Sequence, residues 1–152
     1  MNLFCVRRRN SLPLRLVGSM QEEENQTAKK DLKKYKILVV DDDDDLREIM
    51  FSIFEGQGFS VLEADNGVKA FDVITKNNID MLISDIRMPG GDGLTLLEKV
   101  RIYNPTIPIV IFVTGFSDVS ISDCIKKGAK QVFSKPFNQK ELISYVKESL
   151  GI

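Results

Sequence analysis

The chain has 152 residues, 43% of them hydrophobic and 28% charged, enough for one compact domain with a closed core. It contains no histidine, which excludes His-dependent catalytic triads and His-ligated metal sites, and its two cysteines, Cys5 and Cys124, offer no disulfide framework and fit a reducing, cytoplasmic setting. The net charge of −1 conceals an asymmetry: residues 1–36 carry nine Lys/Arg against four Asp/Glu and residues 37–152 carry twelve against eighteen, so the larger part lacks the clustered cations of a nucleic-acid-binding surface.

Residues 1–35 show no sustained periodicity. Arg7-Arg8-Arg9 is followed by an apolar run that Pro13 and Arg15 break, then by Glu22-Glu23-Glu24 and by Lys29, Lys30, Lys33 and Lys34. This reads as a weakly ordered N-terminal tail, neither a secretory signal nor a membrane-spanning segment, with Met20 as an alternative start.

From Lys36 onward, short apolar runs alternate with amphipathic segments, the pattern of five βα units building a parallel sheet with helices on both faces. Ile37–Val40 reads as a first buried strand. Leu46, Ile49, Met50, Ile53 and Phe54 then follow helical spacing, ending at Gly56 or Gly58. A second strand is expected near Phe59–Glu63 and its helix near Gly67–Thr75. Ile79–Ser84 is apolar in the manner of a central strand, followed by a helix marked by Leu94, Leu97 and Val100. Ile107–Val113 and Lys130–Ser134 supply the last two strands, with helices near Val119–Lys127 and Gln139–Leu150. Cys124 is expected on a core-facing stripe with Ile121 and Ile125. With two residues after the fifth helical segment, no output domain is expected.

Parallel βα sheets gather functional groups at the carboxyl ends of their strands. Here those positions hold Asp41 and Asp42, then Asp85, Thr114 and Lys135: three carboxylates, a hydroxyl and an ammonium on one rim. Carboxylates this close repel by about 4 kcal/mol per pair at an effective dielectric near 20, so a divalent cation or raised pKa values must resolve the conflict. Magnesium fits, because it accepts one or two carboxylates and leaves positions for water and phosphate oxygens. A carboxylate nucleophile beside it can form an aspartyl phosphate, with Thr114 and Lys135 meeting the incoming charge.

Four segments, Ile37-Leu-Val-Val-Asp-Asp42, Ser84-Asp-Ile-Arg-Met-Pro-Gly-Gly-Asp-Gly93, Val113-Thr114-Gly115 and Ser134-Lys-Pro-Phe137, resemble the receiver domain of response regulators over residues 36–150. The resemblance implies the flavodoxin-like strand order 2-1-3-4-5. It implies Asp85 as phosphoacceptor, Mg²⁺ held by Asp41, Asp42, Asp85 and the backbone carbonyl of Arg87, Thr114 as switch hydroxyl and Lys135 as phosphoryl contact. A cis Lys135-Pro136 bond goes with it. The implied role is a phosphoacceptor of a two-component or phosphorelay system that catalyses only its own phosphorylation and dephosphorylation. Its implied partners are a sensor histidine kinase or histidine phosphotransfer protein and an output protein bound near helix four, strand five and helix five.

Three positions depart from or qualify that pattern. Val132 stands where an aromatic usually swings inward on activation, with Phe133 beside it, and Arg87 and Phe116 occupy the places that tune phosphoryl lifetime. Other readings of the same residues are weaker. Asp43, Asp44 and Asp45 read as the N-terminus of a helix. A calcium loop opening at Asp41 fails, since position six is Leu46 and position twelve is Ser52. An aspartyl-nucleophile phosphatase of the haloacid dehalogenase type wants a second Asp where Arg87 stands. A docking module that is not phosphorylated would have no use for all five site residues.

Overall fold

The computed structural model describes residues 32–116 and 118–152. The expected tail lies outside the described residues over positions 1–31. The described chain alternates strand and helix five times: β1 (Lys36–Val40), α1 (Asp44–Gln57), β2 (Ser60–Ala64), α2 (Gly67–Lys76), β3 (Met81–Ser84), α3 (Gly93–Tyr103), β4 (Ile109–Thr114), α4 (Ile121–Lys126), β5 (Gln131–Ser134) and α5 (Gln139–Leu150). The strands form one parallel sheet of order β2-β1-β3-β4-β5, as expected.

Strand periodicity of two explains why both faces are covered. In β1, Leu38 and Val40 face one core with Leu82, Val110 and Phe112, against Ala70, Ile74, Leu96, Leu97, Val100 and Cys124 of α2, α3 and α4. Ile37 and Val39 face the other with Met81, Ile83, Ile111 and Val113, against Met50, Phe54, Leu142 and Val146 of α1 and α5. A sheet buried twice needs apolar residues at nearly every position, which is why β3 and β4 read as unbroken apolar runs.

Local chemistry sets the element ends. The side chains of Asp43, Asn66, Asp92, Ser120 and Asn138 each accept an amide hydrogen at a helix N-terminus. Asp44 and Asp45 stand in the first turn of α1, as expected of charges at the positive end of a helix. Helix α1 stops at Gly58, whose φ of 106° is cheap only for glycine. Strand β4 starts two residues later than expected because Pro108 has no N–H to enter the ladder. Strand β3 starts at Met81, because the amide of Asp80 donates to the carbonyl of Lys36 and its carboxylate accepts the Lys36 amide.

The short helix α4 departs from expectation. Cys124 is buried, but Ile121 and Ile125 are 52% and 41% exposed. A six-residue helix lying on the sheet sinks one residue and leaves its flanks in solvent.

Candidate functional site at the carboxyl edge of the sheet

Register carries the site residues to one rim. Val40 pairs with Ser84, so Asp41 and Asp85 leave adjacent strands side by side. Thr114 pairs with Ser134, and the amide of the next residue, Lys135, donates to the Thr114 carbonyl at 2.9 Å. Carboxylate oxygens of Asp41, Asp42 and Asp85 lie within 4.8 Å of one another. Asp41 and Asp85 are buried and Asp42 is exposed.

Lys135 reconciles the two buried acids. Its Nζ donates to Asp41 Oδ2 at 2.9 Å and to Asp85 Oδ2 at 3.0 Å, tying the ends of β1, β3 and β5 together. Burial raises the Asp41 pKa despite the hydrogen bonds from Lys135 and the Asp43 amide. Burial alone would lower the Lys135 pKa, but its bonds to Asp41 and Asp85 prevail and raise it, so the ammonium stays charged.

The second oxygen of Asp85 accepts the Ile86 amide at 2.6 Å, and the Ser84 hydroxyl donates to the Asp85 carbonyl at 2.7 Å. Asp85 is thereby held at both its side chain and its main chain. Thr114 is buried, and its Oγ1 accepts the Phe116 amide at 3.3 Å.

The donor set fits a hard divalent cation: oxygen ligands only, two of them buried and one open to solvent. Arg87 follows Asp85 in the turn that Met88–Gly93 completes. Its guanidinium lies 4.7 Å from the centre of the Phe116 ring and pairs with Asp118. These contacts join the loops after β3 and β4 across the rim. Sequence reading missed them, since the partners lie 31 residues apart and no local pattern links them.

Val132 and Phe133 separate as strand neighbours must. Val132 packs against the core under α2, α3 and α4, whereas Phe133 lies in the opposite core, edge-on to Tyr145 of α5 at 5.5 Å. Phe133 therefore does not stand in for an aromatic at position 132.

Known proteins resemble this chain throughout the described domain. The family model described as "Response regulator receiver domain" matches residues 37–147. Sporulation initiation phosphotransferase F of Bacillus subtilis is 32% identical over 77% of this chain and 94% of its own length. The DNA-binding transcriptional regulator NtrC of Escherichia coli is also 32% identical, but the match spans only 24% of that longer protein. Among solved structures, a response regulator from Chloroflexus aurantiacus superposes with a TM-score of 0.71 at 35% identity, covering 78% of this chain and 98% of that one. TrrA from Thermotoga maritima, in complex with Mg²⁺-BeF, gives 0.69 at 32% identity, covering 75% and 97%.

Proposed function

The chain belongs to the response regulator receiver domain family, the receiver module of two-component signalling, and from that premise we propose that Asp85 is its phosphoacceptor. One observation carries this reading: Asp85 ends the central strand with one oxygen on the Ile86 amide and the other on Lys135, within reach of Asp41 and Asp42.

In the proposed reaction an Asp85 oxygen forms a bond to the phosphorus of a phosphohistidine or small acyl phosphate. The bond from phosphorus to the donor's imidazole nitrogen or acyl oxygen breaks, and that atom keeps the electron pair. Asp41, Asp42, Asp85 and the Arg87 carbonyl would hold Mg²⁺, which supplies charge neutralisation and a template for phosphoryl oxygens. Lys135 turns from its carboxylate partners to the arriving phosphoryl group, and the Thr114 hydroxyl donates to it. The chain acts as a catalyst on itself alone.

The partners follow from this chemistry. The donor is a sensor histidine kinase or a histidine phosphotransfer protein in the cytoplasm, since the chain has no histidine of its own. The output face is the surface of α4, β5 and α5, where Ile121 and Ile125 are exposed. Asp85→Asn is expected to abolish labelling by acyl phosphate and Mg²⁺, followed as the mass increase of one phosphoryl group. Labelling that persists in this variant overturns the assignment.

A further inference from the structure

Arg47, on the second turn of α1, makes three hydrogen bonds at once. Nη1 donates to the backbone carbonyl of Asp41 at 2.8 Å, Nη2 to Asp44 Oδ1 at 2.7 Å and Nε to Glu63 Oε1 at 2.9 Å. Its side chain is only 14% exposed. The three acceptors belong to the end of β1, the first turn of α1 and strand β2.

The Asp41 carbonyl is one end of the rigid peptide plane that joins Asp41 to Asp42. Holding that oxygen restrains rotation of the peptide, and with it ψ of Asp41 and φ of Asp42, which set the relative directions of their two Cα–Cβ bonds. An ordinary backbone partner does not do this: the Asp41 amide bonds to the Ala64 carbonyl at 3.3 Å, which orients the preceding peptide instead. A planar guanidinium can serve three acceptors in fixed directions, whereas the ammonium of a lysine cannot reproduce the fork. The Arg47 pKa is raised, first by its bond to Glu63, so the clamp keeps its charge.

We propose that Arg47 is a positioning residue for the cation site, setting the Asp41–Asp42 peptide so that both carboxylates converge. This rests on the reading of Asp41, Asp42 and Asp85 as ligands of a divalent cation. Groups that orient metal ligands from behind typically contribute about 10- to 100-fold in metal affinity.

The test titrates Mg²⁺ into the full chain by calorimetry, without any phosphodonor. Arg47→Met is expected to bind Mg²⁺ about tenfold more weakly than the unaltered chain while keeping its circular dichroism spectrum. Labelling of Asp85 should recover at saturating Mg²⁺, which separates a defect of affinity from a defect of chemistry. A folded Arg47→Met chain whose Mg²⁺ affinity stays within about twofold of the unaltered chain overturns the proposal.

A second measurement needs no variant. In the unaltered chain the Arg47 side-chain NMR signals and the Asp42 and Asp43 amides should shift together along one Mg²⁺ titration curve. Arg47 signals that stay fixed while those amides titrate also overturn the proposal. An unaltered chain that binds no Mg²⁺ removes the cation-site reading itself, an outcome distinct from failure of Arg47 alone.

Discussion

At the scale of single residues, the acid pocket is held together against its own electrostatics. Asp41 is fully buried, and burial holds its pKa above the ordinary 3.8. The folded chain therefore keeps this proton at pH values where the unfolded chain has lost it. The group's contribution to stability is complete below 3.8 and is lost as pH rises through the raised value, so at neutral pH the ionised carboxylate is a burden. Asp41→Asn, which retains an acceptor for the Asp43 amide, should be more stable to unfolding than the unaltered chain in metal-free buffer at pH 7, by on the order of 1 kcal/mol. The difference should shrink toward pH 3.8, and added Mg²⁺ should raise the melting temperature of the unaltered chain more than that of the variant. Thermal melts at two pH values, with and without Mg²⁺, check both. The convergence of Asp41, Asp42, Asp85, Thr114 and Lys135 was legible in the sequence because each stands at the carboxyl end of an expected strand. Arg47–Glu63 and Arg87–Asp118 were not, since their partners meet only once the sheet has set how the loops lie.

At the scale of elements, the turn from β3 into α3 determines how Asp85 is presented. The amide of Gly93 donates to the Ile86 carbonyl at 2.6 Å, closing the turn tightly. A Cβ at Gly93 would lie 2.4 Å from the Asp85 carbonyl oxygen and 2.8 Å from the Phe112 ring. Gly93→Ala must therefore move either the main chain of Asp85 or a core aromatic. The expected loss is about 1–3 kcal/mol in urea denaturation, with slower acyl phosphate labelling at equal Mg²⁺. Unchanged stability would mean that the turn yields freely. Sequence periodicity found all ten elements, but it placed the starts of β3 and β4 two residues too early. The Lys36–Asp80 hydrogen bonds and the missing N–H of Pro108 decide those starts, and apolar character does not register either. The side of the sheet taken by Phe133 follows from strand alternation once the register of β5 is known.

At the scale of the whole molecule, the domain has two unlike edges. The carboxyl edge carries Asp85 and its neighbours, while the amino edge carries a cavity of about 530 Å³ lined by Lys36, Asn77, Asp80, Tyr103 and Asn104 among others. Parallel alternation was legible from the sequence, but the neighbour order β2-β1-β3-β4-β5 was not in the periodicity. Apolar spacing says that a strand is buried and leaves open beside which other strand, so resemblance supplied that order.

Both ends of the described domain lie at the amino edge. The chain enters β1 at Lys36, where Tyr35 accepts the Ser60 amide, and α5 finishes beside the end of α1, where Lys147 donates to Gln57 at 2.9 Å. The fold thus offers two attachment points on the pole turned away from Asp85. Tethered to a bead through its C-terminus, the chain should take up phosphoryl groups from acyl phosphate at its free-solution rate, measured by mass after release. A surface crowded with such tethered copies would present every Asp85 outward, like a brush whose bristles all end in the same acidic cluster.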